Sequence, residues 1–403
     1  MPADYLRPLL RESKTKLVLL VMDGLGDLPA WSGGQTPLEA AVTPNMDRLA
    51  AEGTLGRSLP IRQGITPGSG PAHLALFGYD PLQYPVGRGV MEALGIGMDI
   101  GPGDVAARGN FCTLDAKGLI VDRRAGRIPS EEAKPIVESL QAIKLEDGVR
   151  AEVRHVKEYR FALVLRGKGL AGELKDTDPQ ITGAAPLKAV ASDRKSHKAA
   201  KLFNLWATKA QKILAKQPKA NGLTLRGFGG DPTLPKYKDA YGLRAACVAV
   251  YPMYRGVSKL VGMHVVQFSG ESPADEFAAA KSIWADHDFV FIHIKKTDSM
   301  AEDGNFDGKV KIIEGVDLAL PELLALKPDV IAITGDHSTP VPMRSHSWHP
   351  VPLLLWSAAN IFPDEQIQFG ERYCARGGLG TIPATDLMPL MLAHAGRLEK
   401  FGA

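Results

Sequence analysis

The stretch Lys16-Leu17-Val18-Leu19-Leu20-Val21-Met22 runs straight into Asp23-Gly24-Leu25-Gly26-Asp27. An unbroken apolar run with no alternation reads as a strand buried on both faces, the habit of parallel sheets covered by helices. The turn that follows places a carboxylate at the strand's carboxyl end. The same grammar returns twice in the last third of the chain. Phe289-Val290-Phe291-Ile292-His293-Ile294 leads to Asp298, and Val330-Ile331-Ala332-Ile333-Thr334 leads to Gly335-Asp336-His337. Val351 to Trp356 is a further apolar run. Open α/β sheets bind ligands outside the carboxyl ends of their strands. Three carboxylates at three strand ends therefore carry more weight than three scattered ones.

Helical segments lie between these strands. Thr43 reads as an N-cap with Pro44 at the first helical position. A loop at Thr66-Pro67-Gly68-Ser69-Gly70-Pro71 opens an apolar helix over 72–77, and two more helices are expected over 309–326 and 386–397. The middle of the chain differs. It is rich in Lys and Arg, with strand-like pieces at 118–121 and 161–165 and a Lys-rich helix over 197–216. The expected architecture is an α/β core sheet with helices on both faces, built from residues 1–105 and 235–403. It is interrupted by an α+β domain over 106–234. No internal repeat or low-complexity tract interrupts this pattern.

The chain has 403 residues, 45% hydrophobic and 23% charged, with 48 basic against 45 acidic side chains. That composition excludes a disordered chain, a collagen and a coiled coil. The near balance of charge argues against a nucleic-acid partner. Cys112, Cys247 and Cys374 show no CxxC spacing and suit a reduced interior. The apolar run at 17–22 is too short for a signal peptide, and no stretch approaches the roughly 18 apolar residues of a membrane span. The expectation is a soluble cytoplasmic protein with no membrane partner. The glycine-rich runs near 26, 89 and 97 lack the GxxxxGK[ST] pattern of a nucleotide cradle.

The chemistry concentrates in Asp23, Ser69, Asp298, Asp336, His337 and His346. Carboxylates with imidazoles suit Mn, Zn or a similar divalent ion. Ser69, between two glycines and just before a helix, has the setting of an activated nucleophile, and the helix N-terminus favours a phosphoryl anion. Each of these has a bland reading. Strand-end aspartates commonly cap turns, His73 reads as a packed helix residue, His293 as a buried strand residue, and the basic stretch 194–219 as a solvated helix face. His346 and His349 compete for one ligand role; counting back from Pro350-Val351-Pro352 favours His346.

Several segments together resemble a known family. They are Val21-Met22-Asp23-Gly24, Thr36-Pro37-Leu38-Glu39-Ala40-Ala41, Thr43-Pro44-Asn45-Met46-Asp47, and Gly68-Ser69 followed by Ala72-His73-Leu74-Ala75-Leu76-Phe77-Gly78-Tyr79-Asp80-Pro81. Asp122-Arg123-Arg124-Ala125-Gly126-Arg127, Asp176-Thr177-Asp178-Pro179, Arg226-Gly227, Thr297-Asp298, Gly335-Asp336-His337-Ser338-Thr339-Pro340 and Ser345-His346-Ser347-Trp348-His349-Pro350 continue the match. In this order they resemble the cofactor-independent phosphoglycerate mutases, in their archaeal-type branch, members of the alkaline phosphatase superfamily. The resemblance runs nearly end to end.

It implies an alkaline-phosphatase-like core with an inserted substrate-binding lid, and two divalent ions, Mn, Mg or Zn. One ion would be held by Asp23, Ser69, Asp336 and His337, the other by Asp298, His346 and the residue four places after Asp298. The family usually has histidine there, whereas this chain has Glu302, a harder donor that favours Mn or Mg over Zn. A second departure is Gly70-Pro71 after the serine. The implied reaction interconverts 3-phosphoglycerate and 2-phosphoglycerate through a phosphoserine on Ser69, without 2,3-bisphosphoglycerate. Arg124, Arg127 and Arg226, with Arg108 and Arg255, would bind the substrate's carboxylate and phosphate. The alternatives are a related metal-dependent phosphotransferase or phosphohydrolase, such as a homoserine kinase-like enzyme, and a degenerate, non-catalytic binding protein.

Overall fold

The computed structural model describes residues 5–30 and 34–402. The chain forms two compact units, Met1–Pro85 with Leu234–Ala403, and Val86–Thr233. The first is built on a sheet of eight strands: β1 (Leu17–Met22), β2 (Thr54–Leu59), β3 (Ala245–Ala249), β4 (His264–Val265), β5 (Phe289–Ile294), β6 (Val330–Thr334), β7 (Val351–Ser357) and β8 (Gly380–Pro383). Their spatial order is β4-β3-β5-β1-β6-β7-β2-β8. The five strands from β4 to β6 are parallel, and β7 runs antiparallel to both its neighbours. β1, β5 and β6 are buried along their whole length, as runs without alternation require. The fold is thus of the expected α/β class.

Register fixes where the strand ends fall. Met22 lies opposite Ile294, and Val21 opposite Thr334. Three adjacent strands, β5, β1 and β6, therefore finish level with one another, and the residues that follow them leave the same sheet edge. The helix Ser69–Leu76 starts on the serine itself, with Gly68 as N-cap. Pro71 sits in its first turn, where a missing N–H costs no helical hydrogen bond, so the departure at this position leaves the helix intact.

Two expectations on local structure need correction. Thr43 does precede the helix Pro44–Glu52, yet its side chain caps no backbone N–H. The cap comes from Asp317, on the helix Phe306–Leu324, whose carboxylate accepts from the backbone N–H groups of Met46 (2.7 Å) and Asn45 (3.2 Å). The segment expected as one helix over 386–397 is a short 3₁₀ turn at Ala384–Asp386 followed by a helix over Leu387–His394.

The second unit has its own antiparallel sheet and its own core. Val105–Leu114 pairs with Arg160–Arg166, Gly222–Gly229 and Ile120–Asp122, and Arg150–Lys157 adds the outer strand beyond Arg160–Arg166. The helix His197–Leu214 buries Ala199, Leu202, Phe203, Trp206, Ala210 and Leu214, a stripe of helical period, and leaves Lys201 and Lys212 exposed. The boundary falls at 85/86 and not near 105. The helix Arg88–Gly95 belongs with this unit because Gly87 and Gly89 let it lie directly on the strands. A Cβ at Gly89 would sit 2.4 Å from the Ala107 backbone, and one at Gly87 2.3 Å from the Phe228 carbonyl oxygen. That signal is two glycines, too little to read from sequence.

Candidate active site

Asp23 leaves β1, Asp298 follows β5 and Asp336 follows β6, so the three carboxylates arrive from three neighbouring strand ends. All three are buried. His337 lies among them. Its Nε2 is 3.3 Å from Asp23 Oδ1 and 3.3 Å from Asp336 Oδ2. The hydroxyl of Ser69 is 3.2 Å from the same nitrogen. His346 stacks on the His337 ring, with centroids 3.6 Å apart, and its Nε2 is 3.8 Å from Asp298 Oδ1.

Two donor groups result, each with its atoms within 4.8 Å of one another: Asp23, Asp336 and His337; and Asp298, His337 and His346. Among the described residues Asp23 Oδ1 and Asp336 Oδ2 are buried without a hydrogen-bond partner. Buried carboxylate oxygens left unpaired are costly unless a cation meets them, so this donor set fits divalent ions. Glu302 lies in neither group. It ends the helix Lys296–Glu302 and is exposed, one turn farther from the sheet edge than Asp298.

The imidazoles are oriented by their second nitrogens. His346 Nδ1–H donates to the Pro67 carbonyl (3.0 Å), which leaves Nε2 toward Asp298. Thr339 Oγ1–H donates to Asp298 Oδ1 (2.8 Å) and lies 2.9 Å from His337 Nδ1. One threonine thus ties the two donor groups together. His349, by contrast, sits against Ser347 Oγ (3.0 Å) and joins neither group.

Electrostatics set the groups apart. Burial pushes His337 down, but the charges of Asp336 and Asp23 outweigh it and lift it to about 9. Burial works to raise Asp23 as well, yet the Lys295 ammonium and His337 hold it well below the usual carboxylate range. Burial and the Asp23 charge push Asp336 well above that range. His73, pushed down to about 4 by burial, is neutral near pH 7. Its Nδ1 is 2.7 Å from the Ser69 carbonyl oxygen and 3.4 Å from Asp336 Oδ2. His293 is likewise pushed down by burial and lies 3.6 Å from Asp23 Oδ2. Both residues read as structural in sequence; the structure sets them directly behind the acidic groups.

Four further residues escaped the sequence reading. Tyr254 Oη donates a short hydrogen bond to Asp23 Oδ2 and stacks on His293. Thr297 Oγ1 donates to the Asp23 carbonyl oxygen (2.5 Å). The buried Lys309 ammonium donates to the Gly24 carbonyl, Asp27 Oδ2 and the Thr339 carbonyl, clamping the β1 turn to the loop after β6. Lys295 contacts Asp23 and Asp298.

The candidate arginines are spread over both units. Arg255, beside Tyr254, donates to Gln267 Oε1 and the Val266 carbonyl. In the second unit Arg108 and Arg226 are cross-strand partners. Arg226 approaches Asp176 and Asp178, and Arg108 approaches Glu92. Arg124 and Arg127 are exposed and flank a turn in which Ala125, Gly126 and Arg127 all have positive φ (48°, 64° and 50°). The Asp122 carboxylate holds that turn by accepting from the Arg124 and Gly126 backbone N–H groups, both at 2.7 Å. Left-handed backbone at two non-glycine residues is costly and marks a built loop.

Chemically, the site of the first unit can hold divalent cations beside a serine hydroxyl on a helix N-terminus. A family profile described as 2,3-bisphosphoglycerate-independent phosphoglycerate mutase matches residues 50–220. A probable 2,3-bisphosphoglycerate-independent phosphoglycerate mutase of Thermotoga maritima is 50% identical over 401 residues, covering 99% of each chain. One of Thermus thermophilus is 51% identical over 401 residues, covering 99% of this chain and 98% of its own. Among solved structures, the cofactor-independent phosphoglycerate mutase of Thermoplasma acidophilum has a TM-score of 0.70 at 31% identity, covering 95% of this chain and all of its own. A protein of Pyrococcus horikoshii reaches 0.84 at 33% identity, covering 97% and 100%. The chain belongs to the 2,3-bisphosphoglycerate-independent phosphoglycerate mutases, a family of isomerases.

Proposed function

We propose that the protein interconverts 3-phosphoglycerate and 2-phosphoglycerate through a phosphoserine on Ser69, with two divalent ions and without 2,3-bisphosphoglycerate. The observation that carries this is the Ser69 hydroxyl, at a helix N-terminus and 3.2 Å from an imidazole nitrogen that itself lies 3.3 Å from two buried carboxylates. Mutase names on relatives of about 50% identity along nearly the whole chain support this substrate over another phosphoester.

Asp23, Asp336 and His337, with Ser69, would hold one ion, and Asp298 and His346 would contribute to holding the other. Mn or Mg suits the carboxylate share of this donor set. The ions would lower the barrier by offsetting charge on the transferring phosphoryl oxygens. Ser69 Oγ attacks phosphorus in line, and the bond from phosphorus to the C3 oxygen breaks. The proton Ser69 gives up ends on that oxygen. Glycerate turns, its C2 oxygen takes the phosphoryl group, and the C2 hydroxyl proton returns to Ser69, so atoms and charge balance. The helix N-terminus at Ser69 favours the phosphoryl anion throughout.

Arg124, Arg127, Arg226 and Arg108 of the second unit, and Arg255 of the first, are assigned to the substrate's carboxylate and phosphate, which guanidinium groups bind bidentately. The inserted unit is assigned the role of a lid, because a phosphoserine must be kept from water. The protein is placed in the cytoplasm, in glycolysis and gluconeogenesis; among the described residues no helix is long and apolar enough to cross a membrane.

A coupled assay of 3-phosphoglycerate conversion, run without 2,3-bisphosphoglycerate and with Mn or a chelator, tests the proposal. Turnover is expected with Mn, lost with chelator, and reduced by at least about 10³-fold in Ser69→Ala. Equal turnover in Ser69→Ala would overturn it.

A further inference from the structure

Lys295 stands between the two donor groups. It is the first residue after β5, so the strand end itself delivers it beside Asp298. Its Nζ is 2.9 Å from Asp23 Oδ2 and 2.5 Å from Asp298 Oδ2. Asp23 belongs to one donor group and Asp298 to the other, so a single ammonium bridges both. The two carboxylates are buried, whereas the Lys295 side chain keeps 27% of its exposure. The His337 side chain, which also lies between these acids, is fully buried.

We propose that Lys295 is a displaceable stand-in cation. It holds the Asp23 and Asp298 carboxylates together when the site carries no metal, and it competes with divalent ions for the same two carboxylates. The inference rests on the two-ion reading above. Three carboxylates packed at the ends of neighbouring strands repel one another, and burying them unpaired is strongly unfavourable. An ammonium in contact with two of them offsets that cost. The same contact stands in the way of a divalent ion, because two cations cannot occupy adjacent contact positions in a buried site without strong repulsion. Ion binding therefore requires Nζ to withdraw along its exposed side. Ordinary metal sites release protons on binding; this one releases an ammonium group as well. The trade weakens ion affinity and yields a metal-free site that stays assembled.

The test measures Mn²⁺ binding to the metal-stripped full chain by calorimetry, for wild type, Lys295→Met, Lys295→Gln and Asp336→Asn, together with thermal melting of each stripped protein. Both Lys295 variants are expected to bind Mn²⁺ about tenfold or more tightly than wild type, and to melt at lower temperature when stripped. If a stripped variant is unfolded, its affinity is read from the loaded protein by chelator titration. Folded Lys295 variants with unchanged or weaker affinity, alongside weakened binding in Asp336→Asn, would overturn the stand-in role and leave the metal reading standing. Absence of Mn²⁺ binding in wild type and in both Lys295 variants would overturn the metal reading, and this inference with it.

Discussion

A methyl group at position 24 would land 2.6 Å from Thr339 Oγ1 and 2.9 Å from Asp298 Oδ1, on a backbone with φ of 61°. Gly24 is therefore a packing requirement of the site: Asp298 and Thr339 reach their positions only because the β1 turn has no side chain there. Gly24→Ala should cost about 1–3 kcal/mol of stability in denaturant melts and strip the protein of bound metal; normal metal content would contradict this. Tyr254 acts on Asp23 itself. Tyr254→Phe removes the hydroxyl that donates to Asp23 Oδ2 while keeping the ring on His293. Metal affinity should fall about 10- to 100-fold, as for other partners behind a ligand, and an unchanged dissociation constant would exclude that role. At this scale the sequence was legible where chemistry follows a strand. Asp23, Asp336 and His337 stood out because apolar runs end on them. Tyr254, Lys309 and Thr339 did not, because each reaches the site from a helix face or loop with no local pattern, and Lys295, although it directly follows β5, carries no pattern that separates it from a surface lysine. Arg255 is legible as a phosphate ligand because of its guanidinium, whereas the tyrosine beside it suits many places.

Elements show the same division. The long apolar runs announced β1, β5 and β6, and helical periodicity announced His197–Leu214. The tertiary cap of Pro44–Glu52 by Asp317 was hidden, since its donor and acceptor are about 270 residues apart. So was the state of Glu276, on the helix Pro273–Ser282. This residue is buried, its Oε2 finds no hydrogen-bond partner among the described residues, and burial pushes its carboxyl up to about 9. Below its ordinary value near 4.5 the group is protonated in both the folded and the unfolded chain. As pH rises the unfolded chain ionises first, so the contribution to stability falls progressively and is lost through the folded value. Glu276→Gln cannot ionise. It should match wild type in urea melts at about pH 4.5 and gain on it steadily toward pH 9. A difference that stays flat across that range would show that Glu276 is ionised in the folded protein.

On the scale of the whole molecule, two units with separate cores divide the assigned labour. The first carries the carboxylates, imidazoles and serine, and the second carries four of the five arginines. Arg226→Ala should therefore raise the KM for 3-phosphoglycerate about 10- to 100-fold, the worth of a charge-assisted hydrogen bond, while metal content per chain stays at the wild-type value. An unchanged KM would remove Arg226 from the substrate clamp. The central claim is that Ser69 carries the phosphoryl group between the two hydroxyls of glycerate. Its most direct test is acid quenching of Mn-loaded protein during turnover of 3-phosphoglycerate, followed by mass analysis of the peptide that contains Ser69. The account predicts one added phosphoryl group on Ser69, absent in Ser69→Ala and absent when chelator replaces Mn. Sustained turnover with that peptide unmodified, or with the phosphoryl group on another residue, would contradict it.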